Sequence, residues 1–263
     1  MTTTVSGNSG GTAVTTTTLP TLIPGFLFGL TLSTAGSSAT FSIASGAAVN
    51  SLATGYMTLA SAYTKTTSAW ALGSAAGALD TGAIANSTWY HVYLIQRVDT
   101  GVVDVLISLS ATAPTMPTNY TLFRRIGSMK TNGSAQWTSF MQVGGYFRWV
   151  TPVIDGNPMA ATTAFAALTI SVPLGVSVLA VGNIATVTNG NVASIRPVGA
   201  ADGTPSITTG ALSLVGVGGS ASSGSSQWSV VTNTSAQVEV AASTAMNVYV
   251  ATTGWIDSRG GDA

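Results

Sequence analysis

His91 is the only histidine in the chain, and cysteine is absent. A multi-histidine or thiolate metal site therefore cannot be assembled from this sequence. The chemistry left to His91 is that of a lone base, because a hairpin over residues 89–110 would bring Asp99 or Asp104 into its neighbourhood. The competing reading, adopted here, is a strand residue between Tyr90 and Val92 that packs its ring and hydrogen-bonds through one nitrogen. Asp80 and Asp99 are each followed by Thr and Gly, as in the aspartic-protease triplet. That enzyme needs two such loops facing each other across a dyad, whereas Asp99 falls in an ordinary hairpin turn. A glycosidase needs two carboxylates across a cleft, and eight scattered acids give no such pair.

Two glycine motifs match catalytic or cofactor patterns on paper. Gly7-Asn8-Ser9-Gly10-Gly11 has nucleophile-elbow spacing but lies in a low-complexity tract, with neither the strand nor the helix that motif requires. Gly216-Val217-Gly218-Gly219-Ser220-Ala221 follows a strand pattern but leads into a Ser/Gly loop, not a phosphate-binding helix. Neither is retained. The sequence thus predicts no enzyme, no cofactor and no metal. Arg97, Arg124, Arg125, Lys130 and Arg148 cluster modestly, but Asp99 and Asp104 offset them, too thin a basic patch for nucleic acid. Arg124 and Arg125 must face opposite ways on a strand, so one is expected inward, paired with a carboxylate such as Asp80 or Asp104. Trp70, Trp89, Trp137, Tyr146 and Trp149 could stack on sugars, although in sheets such aromatics more often anchor a core or an interface. Trp228, beside the Gly/Ser loop 218–226 and near loop 199–206, is the candidate receptor contact. Its competing role is to close the core.

The elements that must position these residues are β-strands. Trp89–Val98 and Val102–Ser110 form the clearest hairpin. Val103, Val105, Ile107 and Leu109 alternate with Asp104, Ser108 and Ser110, and Gly101 sits where a three-residue loop needs positive φ. Further strands are expected at 120–126, 136–143, 146–150, 165–172, 176–187, 192–197, 211–217, 227–232, 236–242 and 247–252. Turn signals separate them at Gly144-Gly145, Pro173-Leu174-Gly175, Asn189-Gly190 and Asp202-Gly203. The only helical candidate is the Ala-rich stretch Leu52–Ala62. Pro152–Pro158 breaks the pattern and is the candidate domain boundary. The expected fold is all-β: two β-sandwich (jelly-roll-like) domains, 25–155 and 156–263, preceded by an extended N-terminal arm, 1–24. That Thr/Gly/Ser tract has no core-forming period, and its two readings are a disordered tail or an anchor that orders on a partner.

Composition constrains the setting. The chain has eight Lys or Arg and eight Asp or Glu in 263 residues, net charge zero, and 46% hydrophobic residues; no charge precedes Lys65. A freely diffusing protein uses charge to stay soluble and apart from its neighbours, and an ordinary domain carries about a quarter charged residues. A Thr/Ser/Ala/Gly surface suits a chain that hides part of itself against other copies or subunits. Mean hydropathy is +0.44, yet no membrane insertion is expected. Pro20 and Pro24 interrupt 19–32, and Pro173, Gly175 and Asn183 divide 160–187. Met1-Thr2-Thr3-Thr4 lacks the basic start of a secretory signal.

Several blocks resemble a recurring pattern in structural proteins of tailed-bacteriophage virions, of the tail-fibre or minor-component type. They are Gly29–Ser33, Ala78–Gly82 with Ser87–Val92, Asp99–Leu106, Ser110–Pro114 continuing to Tyr120, Arg124–Ser128, and Thr253–Gly260. These blocks cover much of 29–155 and the extreme C-terminus, while 160–250 matches only loosely. The resemblance implies a virion location and no catalytic residue. The expected protein is a tail fibre or tail-appendage subunit, assembled in the bacterial host cytoplasm. It would form a homotrimer, dock on other virion proteins such as a tail adaptor, nozzle or capsid, and contact a host-surface glycan. The alternatives are a capsid decoration or head-fibre protein and, in another class, a soluble carbohydrate-binding module.

Overall fold

Alternating apolar positions and frequent turn residues fold this chain into strands alone. The computed structural model describes residues 22–186, 191–201, 203–206, 215–217 and 224–261, and no helix occurs among them. The fold is all-β and sandwich-type, built of four sheets. Most of the expected arm, the Asn189-Gly190 turn, Asp202, and residues 211–214 and 218–223 lie outside the described residues.

The first part of the chain supplies short strands: β1 (Leu27–Gly29), β2 (Leu32–Ser33), β3 (Thr40–Ile43), β4 (Gly46–Val49), β5 (Tyr56–Leu59), β6 (Tyr63–Ala69) and β7 (Gly77–Leu79). The long hairpin follows as β8 (Trp89–Arg97) and β9 (Val103–Ser108), then β10 (Tyr120–Lys130). One sheet has the order β1-β4-β5, and a seven-stranded sheet runs β10-β8-β9-β7-β6-β3-β2. The hairpin pairs in the expected register, His91 with Ser108 through Gln96 with Val103, and Gly101 takes φ 71° at its turn. The Ala-rich stretch 52–62 is not helical: a turn there leads into β5.

The second part adds β11 (Phe140–Val143), β12 (Tyr146–Ala161), β13 (Ala166–Thr169), β14 (Leu179–Thr186), β15 (Val192–Pro197), β16 (Val215–Val217), β17 (Gly224–Val231), β18 (Gln237–Ala242) and β19 (Met246–Ile256). They form a five-stranded sheet, β11-β12-β19-β14-β17, and a four-stranded one, β13-β18-β15-β16. The expected boundary at 152–158 falls inside β12, so a cut at 155/156 divides a strand. The ladder of β12 with β19 shifts register between Arg148 and Val153 and again on either side of Gly156. Pro152 and Pro158 sit in those unpaired stretches, where a missing N–H costs no ladder bond.

One hydrophobic core runs through both parts. An aromatic cluster within it joins β8, β12 and β19: Phe147 stacks on Trp255 with ring centroids 5.2 Å apart, Trp149 lies 5.0 Å from Trp255, and Trp89 meets Trp255 edge-on at 5.4 Å. Aromatic pairs at such spacings add about 0.5–1.5 kcal/mol each beyond their buried area. Strand β9, expected to be half-buried, is buried on both faces, because β6 and the turn after it cover its polar side.

Candidate functional site

The ionisable residues that sequence logic offers for catalysis are consumed in structural contacts. His91 is buried and its Nδ1 lies 2.9 Å from Ser128 Oγ on β10; neither Asp99 nor Asp104 is its partner. Burial, helped by the charge of Arg125 and opposed by Asp257 and by a hydrogen bond that the ring donates to the Leu174 backbone, pushes the imidazole down to about 4. Such a group is neutral across the physiological range. Asp104 is fully buried and bound to Lys65 at 3.0 Å. Lys65 Nζ also donates to the carbonyls of Ala71 and Gly73, while Asp104 accepts from the Gly73 and Val105 amides. Burial pulls the Lys65 ammonium below its usual range, against the pull of Asp104. Charges this deep are tolerated because every polar atom has a partner.

The two Asp-Thr-Gly triplets form no dyad. Asp80 accepts from the Thr81 and Thr115 amides, while Asp99 forms a largely exposed pair with Arg97. Both Arg124 and Arg125 are buried, which corrects the expectation that they part to opposite environments. The two pair with Leu94 and Tyr93 in unbroken register, so they do alternate, but the chain covers both: the Gly25 and Arg259 carbonyls meet Arg124, and a carboxylate meets Arg125. The carboxylate that meets Arg125 is neither Asp80 nor Asp104 but Asp257, in a bidentate pair with both contacts at 2.6 Å. Burial alone would raise the Asp257 carboxyl; the hydrogen bonds and charge of Arg125, with the Arg259 amide, outweigh it and hold the group below 3.8. Arg124 Nε donates to the Arg259 carbonyl at 3.0 Å and its Nη2 to that of Gly25 at 3.3 Å.

Trp89, Trp137 and Trp149 are core residues, and so is Trp228, 3% exposed. The Trp228 ring lies over Gly182 of β14, where any Cβ would run into it. Trp228 is therefore not an exposed stacking platform. Its neighbours on β17 are the informative ones: the strand's alternation turns Trp228 and Val230 inward and Gln227 and Ser229 outward.

Those outward residues belong to a hollow of about 460 Å³ on the outer face of the five-stranded sheet. Two cross-strand rows build it. The first is Val143, Tyr146, Ile256, Leu179 and Val231, each paired with the next. The second is Met141, Arg148, Gly254, Val181 and Ser229. Gly254 gives the middle of the second row no side chain, and a Cβ there would run into the Phe147 carbonyl. Beside it the register slips at Thr253, whose hydroxyl donates to the Val181 carbonyl at 3.1 Å. The resulting dent is rimmed by Tyr146, Arg148, Gln227, Ser229 and Thr253 over Val181, Gly182, Ile256 and the largely buried Trp228. Arg148 is exposed and has no hydrogen-bond, ion-pair or ring partner among the described residues. The sequence pointed to Tyr146 as a sugar-stacking candidate but not to Arg148, Gln227 or Ser229. Their signal was the alternation about Trp228 together with a glycine inside a strand.

Among the described residues no group of three or more His, Asp or Glu is placed to hold a metal ion, and no helix is long and apolar enough to cross a membrane. In comparisons with known proteins, no family model, curated protein or solved structure matches this chain.

Proposed function

We propose that this chain is a non-enzymatic structural subunit of a bacteriophage virion, a tail fibre or closely attached tail appendage. The observation that carries the reading is the inward placement of its few charges. Lys65 with Asp104 and Arg125 with Asp257 are buried pairs, and Arg124 and Arg259 are buried beside them. A surface left so poor in charge lacks the usual defence against association, which suits a part that lives within an assembly. Ile23 and Phe28, 59% and 71% exposed, present apolar surface where the described chain begins, next to the tract read as an anchor. The phage context rests on the resemblance of several sequence blocks to virion proteins of the tail-fibre type.

Mass spectrometry of purified virions, with copy number per particle, tests this reading. A small multiple set by closed symmetry supports a tail part, hundreds of copies point to a capsid decoration or head fibre, and absence from particles sinks the virion assignment. Light scattering of the purified chain is expected to give a trimer of the 26.3 kDa unit. A monomer that stays soluble at micromolar concentration removes the self-assembly argument. The outer-face hollow gives independent support to the second reading, a carbohydrate-binding module, and the two readings are compatible in an appendage that touches the host surface.

A further inference from the structure

On the outer face of the five-stranded sheet an unpartnered cation, Arg148, stands among polar side chains. Resting on the reading of the chain as a surface appendage, we propose that the hollow around Arg148 is a binding site for a carboxylate-bearing saccharide, such as a uronic or sialic acid unit of a cell-surface glycan.

Three features of the hollow select this class of ligand. The first is charge. Arg148 is the one described cation with no hydrogen-bond, ion-pair or ring partner, and no acid lines the hollow with it. A planar guanidinium left open to solvent matches a carboxylate in a bidentate, charge-assisted contact. A single cation suits a monoanion better than a phosphate, and a chain of zero net charge has no field for a nucleic acid.

The second feature is the mixed lining. Tyr146 and Ile256, adjacent across β12 and β19, offer apolar surface to the C–H face of a pyranose. Gln227 and Ser229 on the opposite side offer an amide and a hydroxyl to its hydroxyl rim. Thr253 donates its proton to Val181, so its oxygen is left to accept.

The third feature is shape: the register slip at Thr253 lets Gly182 and the buried Trp228 line the hollow between the two cross-strand rows. The volume, about 460 Å³, lies in the range of small-ligand sites, about 300–1,000 Å³.

A second copy of this chain is a poorer occupant. Asp80, Asp99, Asp104, Asp155, Glu239 and Asp257 already hold partners within their own chain. No described carboxylate of a neighbouring copy is left over for Arg148.

The test is calorimetric titration of the full chain with oligosaccharides bearing galacturonate, glucuronate or sialic acid, alongside their neutral counterparts and acetate alone. At least one acidic sugar is expected to bind, its neutral counterpart at least about tenfold more weakly, and acetate weaker still, with affinity falling as salt is added. Arg148→Gln is expected to abolish the preference for the acidic sugar, and Arg148→Lys to retain part of it. The side chain is exposed, so both variants should melt like the native chain. If the whole panel fails to bind, or Arg148→Gln binds the acidic sugar unchanged, the site is not there. If Arg148→Gln instead alters the oligomeric state, the face is a contact between copies and the proposal is overturned. Incorporation of Arg148→Gln into virions is read separately: a variant that assembles normally but binds no sugar leaves the structural role standing, and a chain absent from particles sinks that role whatever the titration shows.

Discussion

Asp257→Asn removes one charge from the pair that ties the C-terminal residues to β10, and its cost follows from the geometry. The carboxylate faces both terminal nitrogens of Arg125 at 2.6 Å and also accepts from the Arg259 amide at 2.7 Å. Side-chain exposure is 9% for Arg125 and 1% for Asp257, so water cannot take over for a lost partner. Asparagine preserves shape and one acceptor but turns an NH2 group toward a guanidinium that has nothing to receive it. Removing one partner of a buried pair costs about 3–5 kcal/mol, mostly the penalty of the stranded charge. For a chain of this size that is a fall in Tm on the order of 10 °C. Urea unfolding at pH 7 measures it directly. A second variant isolates the cause: Arg125→Met combined with Asp257→Asn removes the stranded charge and is expected to be more stable than Asp257→Asn alone, with a coupling of about 1–3 kcal/mol. If Asp257→Asn lies within about 1 kcal/mol of native, or the double variant is no better than the single, the pair is not the clamp argued here. The carboxyl is held below its ordinary value, so the contribution of the pair is complete above pH 3.8 and is lost only as pH falls through the depressed folded value.

His91 acts in a different pH window. Its imidazole protonates near 6.5 when unfolded but only at about 4 when folded, so stability is full above 6.5 and declines as pH falls toward 4, by about 3 kcal/mol in total. Urea melts at pH 7 and 4.5 should show that decline in the native chain and a flatter profile in His91→Gln; parallel profiles would contradict it. Trp228→Ala is expected to cost about 3–5 kcal/mol, as for any buried large aromatic; a variant that melts normally would place the ring outside the core. Gly182→Ala drives a methyl into the Trp228 ring and the Ala251 carbonyl, and the overpacking should lower stability by about 1–3 kcal/mol in the same assay. Deleting residues 1–21 should leave the melting curve unchanged while abolishing incorporation into virions, if the tract is the anchor; particles that take up the truncated chain at native levels would move the anchor elsewhere.

The hairpin of β8 and β9 could be read in advance because everything that fixes it is local: alternation along each strand and a glycine at the turn. The same holds for β15 and β18, whose ends fall within a residue of the expected bounds. Local logic fails where the decisive partner is remote. Arg125 and Asp257 are separated by 132 positions, and nothing in either neighbourhood encodes the other. Val103–Leu109 looked half-buried because Asp104 and Ser108 are polar, yet Lys65 supplies the counter-charge that lets the polar face go inside. Strand β12 was cut short by Pro152 and Pro158, which are signs of interruption in isolation and compatible with a strand once the ladder shifts register around them. The hollow escaped notice because it depends on which residues stand side by side across five strands, a property of register and not of any one segment.

The placement of charge also fixes where the two ends of the described chain lie. Arg124 donates to the carbonyls of Gly25 and Arg259 at once, and Gly25 and Gly261 approach so closely that a Cβ on the first would clash with the backbone of the second. Arg259 Nη1 in turn reaches the carbonyl of Gly29 at 3.5 Å. The start of the folded body and its C-terminal turn are therefore one structural feature, held by guanidinium groups that the low overall charge makes scarce. Arg124 and Arg259 thus each spend hydrogen bonds on backbone carbonyls to hold that junction against β10.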